Sequence, residues 1–145
     1  MKEFKKSPKN IEMMCMETSI EKLVSEMLSS EKQGELPHAM LDVLRVLVIN
    51  KGVSWRSELI QDLVLLYAFR GDPEAVDERE LDEALRELGK KELVQVEERV
   101  KGTMGARGST KDKLISLVDY VATQSTLSRD RTLISYMGQR AMNAK

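Results

Sequence analysis

Apolar residues recur at helical spacing in five stretches of this chain and change period in one. The first stripe is Ile20, Leu23, Val24, Met27 and Leu28. The capping-box pair Thr18 and Glu21 opens it and Gly34 closes it. A second helix is announced by Pro37, which suits a first helical turn, and runs to about Asn50-Lys51-Gly52. Met40, Leu41, Val43, Leu44, Leu47 and Val48 cover most of its circumference, which predicts a central position. A third helix from Trp55 to about Arg70, with Ser54 as its N-cap, turns Leu59, Ile60, Leu63, Leu66 and Tyr67 to the core. Leu65 and Phe69 fall on another side, so this helix requires a second apolar neighbour, from the terminal helices or from a partner subunit.

After the stop signal Gly71-Asp72-Pro73, the pair Asp77 and Glu80 caps a fourth helix. Its buried stripe is Leu81, Ala84, Leu85 and Leu88. Near Gly89 the period shortens, and Leu93, Val94 and Val96 predict a strand ending near Val100. The Gly-rich stretch 101–112 reads as a loop, and Lys113 to Val118 as the returning strand. Residues 119–127 fit strand, loop and helix alike. A last helix is expected from about Arg129 to Ala141, with Ser128 as cap and Ile134, Met137 and Ala141 on one face.

Composition narrows the chemistry. With 145 residues, 41% of them hydrophobic, the chain is long enough for one domain with a real core. Its longest apolar run, Leu63 to Phe69, falls far short of the roughly 20 residues that span a bilayer, so no membrane insertion is expected. The basic start MKEFKKSPKN is not followed by an apolar signal region, which argues against secretion. Cys15 is the single cysteine and His38 the single histidine. One of each makes neither an internal disulfide nor a zinc site, and nothing in the sequence converges on His38 as a general base would need. The expectation is a cytoplasmic protein, not an enzyme, with no catalytic residues, no metal and no cofactor.

The run Asp77-Glu78-Arg79-Glu80-Leu81-Asp82-Glu83-Ala84-Leu85-Arg86-Glu87-Leu88, then Leu93-Val94-Gln95-Val96, follows two helices and precedes a Gly-rich basic hairpin. In this order of elements the chain resembles the winged helix-turn-helix superfamily over about residues 36–120. The resemblance implies a mainly α fold with a small β-hairpin (α+β), helix 77–91 in the recognition position, and loop 101–112 as the wing. Around this domain the sequence suggests a flexible basic arm at 1–17, an N-terminal helix at 18–35 and a helical extension at 121–145. In length and helix-flanked layout the chain is similar to the MarR group of regulators, without their Asp-x-Arg wing pattern.

Charge decides what such a domain would bind. The 23 basic and 24 acidic residues give a net charge of −1, which excludes a generally basic nucleic-acid coat. Helix 77–91 carries a net −2, although Arg79, Arg86 and Lys90 form a stripe nearly opposite its apolar face. Glu83 lies within helical reach of Arg79 and Arg86, so an ion-pair ladder competes with a recognition face there. Arg99, Lys101, Arg107, Lys111 and Lys113 against Asp112 give the hairpin +4 over residues 99–113. The leading expectation is double-stranded DNA, gripped at its phosphates through these residues by a homodimeric transcriptional regulator. The alternative is a winged-helix module that binds a protein partner within a larger complex and does not bind DNA itself.

Overall fold

The computed structural model describes the backbone of residues 8–102 and 109–143, and the side chains of residues 19–100 and 111–142. The chain is mainly helical, with a small antiparallel sheet. Helix α1 (Pro8–Ser29) leads through a 3-10 turn (Glu31–Gln33) into α2 (Glu35–Ile49). Strand β1 (Val53–Trp55), α3 (Arg56–Arg70) and α4 (Glu78–Lys90) follow. Strands β2 (Val94–Gly102) and β3 (Ser109–Leu117) form a hairpin, and α5 (Tyr120–Leu127) and α6 (Arg131–Asn143) complete the described chain. None of the described helices is long and apolar enough to cross a membrane.

Helix α2 is the axis on which the other elements pack. All ten residues from Ala39 to Val48 are buried, and Leu41, Leu44 and Leu47 are wholly inaccessible. Each such leucine contributes about 1.5–3 kcal/mol of burial free energy. Around it gather Leu59, Leu63 and Leu66 of α3, Leu81, Ala84, Leu85 and Leu88 of α4, Ile115 of β3 and Leu127 of α5. The stripes read from the sequence for α2, α3 and α4 are therefore faces that meet at the centre, whereas on α6 the core takes Leu133 and Tyr136 and the expected face Ile134, Met137 and Ala141 is exposed.

The sheet order is β1-β3-β2 with both pairings antiparallel. Three rungs join β1 to β3, with Ser54 opposite Ile115 and Trp55 opposite Leu114. Strand β1 is too short to show alternation in the sequence; pairing with β3 is what makes it a strand. Gly52 feeds it at φ +96°, donating its N–H to Leu47 O at 2.7 Å and accepting from Leu117 N at 2.8 Å. That buried turn ties the end of α2 to the end of β3.

Several expected boundaries move. Helix α1 begins at Pro8 rather than Thr18, so residues 8–17, expected as an arm, are helical. Pro8 costs nothing at a first turn, where its missing N–H has no intrahelical partner anyway. The hairpin strands also run further than expected. The ladder continues through Lys101 opposite Thr110 to Gly102 opposite Ser109, so Lys111 lies in strand β3 rather than in a loop. Only residues 103–108 separate the strands, and they lie outside the described residues.

Capping differs at two helices. Ser54 belongs to β1, where its hydroxyl donates to Trp55 O, and Trp55 occupies the cap position of α3 without a side-chain cap bond. Ser128 ends α5 instead of opening α6; Asp130 opens α6, its Oδ2 accepting from Leu133 N at 3.1 Å. The ambiguous stretch 119–127 is helix α5, capped by Asp119 through Ala122 N.

Candidate nucleic-acid interface

Two elements carry the expected binding residues, the outward face of α4 and the β2–β3 hairpin, and the start of α3 lies beside both. Asp77 caps α4 by accepting from the N–H groups of Arg79 and Glu80. The apolar stripe of α4 then packs on α2, which leaves Arg79, Arg86 and Lys90 exposed on the other side. Arg79 and Arg86 line a shallow hollow of about 600 Å³ with Asp77, Glu80, Asp82 and Glu83. The expected ladder does not form: among the described residues no ion pair joins Glu83 to Arg79 or Arg86. Lys90 does have an acid, Glu87 Oε2, at 3.4 Å.

The acids of α4 are partly answered from α3. Arg56 donates Nε–H to Asp82 Oδ1 at 2.9 Å and Nη2–H to Asp82 Oδ2 at 3.1 Å and Glu78 Oε1 at 3.2 Å. A cation in a helix's first turn is opposed by the helix dipole, so Arg56 gains from a carboxylate on the neighbouring helix. Sequence reading missed Arg56. Its only local signal was that misplaced positive charge, and its partners lie 22 and 26 residues away.

Beside this fork, Lys111 and Lys113 of β3 meet Arg56, Asp82, Glu98 and Asp112 around a hollow of about 380 Å³. Asp112 Oδ2 accepts from the Ser57 hydroxyl at 2.6 Å, which fastens the base of the hairpin to the start of α3. Lys111 is exposed and Lys113 half-buried. Arg99 is exposed, with its Nε on Glu97 Oε1 at 2.5 Å. The side chain of Lys101 and the whole of Arg107 lie outside the described residues. The structure thus brings Lys111 and Lys113 together with Arg56, and leaves Arg79, Arg86, Lys90 and Arg99 spread over neighbouring surfaces.

The hairpin is also less positive than the window 99–113 implies. Its paired strands reach back to Val94, and that length adds Glu97 and Glu98. Over residues 94–117 five basic residues stand against three acidic ones, a net of +2. Glu98 pairs across the ladder with Lys113, where opposite charges stabilise the sheet.

A second polar cluster lies inside the molecule. Arg45 of α2 is fully buried and spends its guanidinium on three carboxylates: Glu31, Asp42 and Asp130, at 2.7–3.1 Å. Asp42, also fully buried, accepts a two-pronged contact from Arg70 at 2.6 and 2.8 Å. The His38 ring contacts Glu31 Oε2 through Nδ1 at 2.7 Å and approaches Asp42 Oδ2 through Nε2 at 3.4 Å. Burial alone would raise the Glu31 carboxyl, but hydrogen bonds from His38 and Arg45 outweigh it and hold the pKa at about 2. The bond to Glu31 raises the His38 pKa against the opposing effect of burial.

Glu31, His38 and Asp42 offer ligand atoms within 4.8 Å of one another, the arrangement a metal ion would need. They do not fit one. All four carboxylate oxygens already accept from Arg45 or Arg70, and two guanidinium charges stand where a dication would be repelled. Next to His38 the surface opens into an acidic hollow of about 400 Å³ that includes Glu35, Tyr67, Asp72 and Glu80. Burial, then the charges of Asp42 and Glu80, push the Tyr67 hydroxyl up to about 12.

No family model matches the chain, and no curated protein or solved structure matches it either.

Proposed function

We propose that this chain is a winged-helix protein that binds double-stranded DNA as a transcriptional regulator. In this reading α2, α3 and α4 are the helical core, α4 is the recognition helix and the β2–β3 hairpin is the wing. The observation that carries it is the junction at Arg56. Arg56 ties the start of α3 to α4, Ser57 ties it to Asp112 of the hairpin, and Lys111 and Lys113 border the same hollow as Arg56, with β3 between β1 and β2 in the sheet. Arg56 also answers two of the acids that made α4 look repulsive to phosphate. Asp82 and Glu78 are bridged, Glu87 is near Lys90, and Arg79 and Arg86 stand without acidic partners among the described residues. Contacts of this kind position a protein on the phosphate backbone, and base readout comes from a groove-facing helix.

The test is fluorescence anisotropy with a labelled mixed-sequence duplex at low and moderate salt. Binding that weakens steeply with salt, and weakens again in Lys111→Ala/Lys113→Ala, supports the reading. No binding at low salt sinks it.

One observation favours a second reading, a module that docks on another protein. Glu83 remains exposed on the outward side of α4 beside Arg79 and Arg86, a mixed-charge surface suited to a protein of complementary pattern.

A further inference from the structure

The turn that joins α1 to α2 is fastened by charge. Glu31–Gln33 buries no residue, and neither this turn nor α2 has a side-chain cap bond at its start. The Glu31 carboxylate ties the turn to α2, meeting Arg45 at 2.7 and 2.9 Å and the His38 ring at 2.7 Å.

Both ring nitrogens of His38 face a carboxylate, Nδ1 that of Glu31 and Nε2 that of Asp42. Only the doubly protonated ring has an N–H for each. Either neutral tautomer turns a lone pair toward one of the two oxygens. The surrounding charges favour the same form. The ring faces Glu31 from the turn, Glu35 and Asp42 from α2, and Tyr67 and the cation Arg70 from α3. Asp72, Glu74 and Asp77 of the α3–α4 connection and Glu80 of α4 line the hollow beside it. Within the cluster the carboxylates of Glu31, Asp42, Asp72 and Asp130 meet three cations, Arg45, Arg70 and protonated His38. Loss of the imidazole proton leaves two.

Glu31 is the carboxylate that can leave. Its side chain is 20% exposed, against 0% for Asp42 and 8% for Asp130. Arg45 stays paired without it, with Nε and Nη2 on Asp130 and Nη1 on Asp42. Val24 and Met27 are buried in the core and keep α1 docked when the turn opens.

We propose that His38 is a proton-operated latch: doubly protonated, it holds the turn Glu31–Gln33 against α2, and on losing a proton it releases Glu31 to water while the core around α2 stays folded. The latch works whatever the chain binds, so its test is independent of duplex binding.

Hydrogen–deuterium exchange of the full chain, corrected for the intrinsic pH dependence of exchange, tests it from about pH 5 to about pH 9, on either side of the ordinary imidazole pKa. Protection of residues 31–36 should begin to fall near 6.5 and level off above the folded-state pKa of His38 read by NMR. Each pH unit by which that pKa exceeds 6.5 should appear as about a tenfold loss of protection. Protection at Leu41, Leu44 and Leu47 should not change. The His38 side chain is 38% exposed, so substitutions there should fold. His38→Gln should leave the turn poorly protected at every pH. His38→Arg, charged throughout, should keep it protected to the alkaline end. Corrected exchange of residues 31–36 that ignores pH in the wild type, or that still rises with pH in His38→Arg, overturns the latch. Protection lost together in the turn and at Leu41, Leu44 and Leu47 overturns it as well, because His38 would then act on global stability alone.

Discussion

Arg45 of α2 donates its Nε–H to Asp130 Oδ2 at 2.7 Å, across 85 residues of sequence. Asp130 also caps α6, so one carboxylate fixes both the start of the last helix and a buried cation in the central one. Arg45 in turn reaches Glu31 in the turn after α1, which joins three separate segments at one guanidinium.

Breaking this cluster at one point should leave a buried charge unpaired. Arg45→Ala is expected to destabilise the fold by about 3–5 kcal/mol, the usual range for removing one partner of a buried ion pair. Asp130→Asn should cost less, because the amide oxygen still accepts from Leu133 N–H and Arg45 Nε–H, and the loss is the charge and the second bond, from Arg45 Nη2. Urea denaturation of both variants measures the difference. A loss under about 1 kcal/mol in Arg45→Ala would show that water reaches the cluster and answers its carboxylates.

The same cluster sets a pH window. The Glu31 carboxyl sits at about 2 in the fold, below its ordinary 4.5. Its stabilising contribution is therefore complete above 4.5 and lost as pH falls through about 2. His38 is shifted the other way, above 6.5, so its contribution is complete below 6.5 and lost as pH rises through the folded-state value. Stability should be highest between these limits. His38→Gln should abolish the loss on the alkaline side near neutrality and leave the acid limb in place. As the chain has a single histidine, one imidazole NMR titration reads the folded-state pKa directly.

Gly52 should not tolerate a side chain. A Cβ there would lie 3.2 Å from Tyr120 Cδ1, and its φ of +96° is one that L-residues rarely adopt. Gly52→Ala is expected to cost roughly 1–3 kcal/mol from backbone strain alone. The melting temperature measures it, and an unchanged value would mean that Tyr120 and the turn relax together.

At the hairpin, charge should act additively on duplex affinity. If Lys111 and Lys113 each contact a phosphate, removing either should lower the slope of log affinity against log salt by about one. Glu98→Gln should strengthen binding by removing a negative charge opposite Lys113 in the ladder. Arg56→Ala should weaken binding more than its own charge accounts for, because Asp82 and Glu78 would then face the duplex unanswered. Equal effects of Arg56→Ala and Lys111→Ala on the salt slope and affinity would refute that last point.

Helical periodicity alone determined α2, α3 and α4 and the leucines that meet at the centre, because burying one face of a helix demands a 3.6-residue repeat whatever lies opposite. The Asp77 cap was equally legible, since its partners are two and three residues away. The candidate site was legible as residue types along the hairpin but not as a charge balance. Glu97 and Glu98 fell outside the window until the strand ladder showed how far the hairpin extends. Only the tertiary structure decided the rest. Arg45 and Asp42 sit within the otherwise apolar run Ala39–Val48, and their partners come from the turn after α1, the end of α3 and the cap of α6. Arg56 likewise finds its acids on another helix, β1 exists only as a neighbour of β3, and α6 buries Leu133 and Tyr136 while leaving Ile134 and Met137 uncovered. Periodicity is a local property that each segment carries by itself. Ion pairs, strand pairing and the choice of which face to cover depend on what folding brings alongside, and no short stretch of sequence contains that.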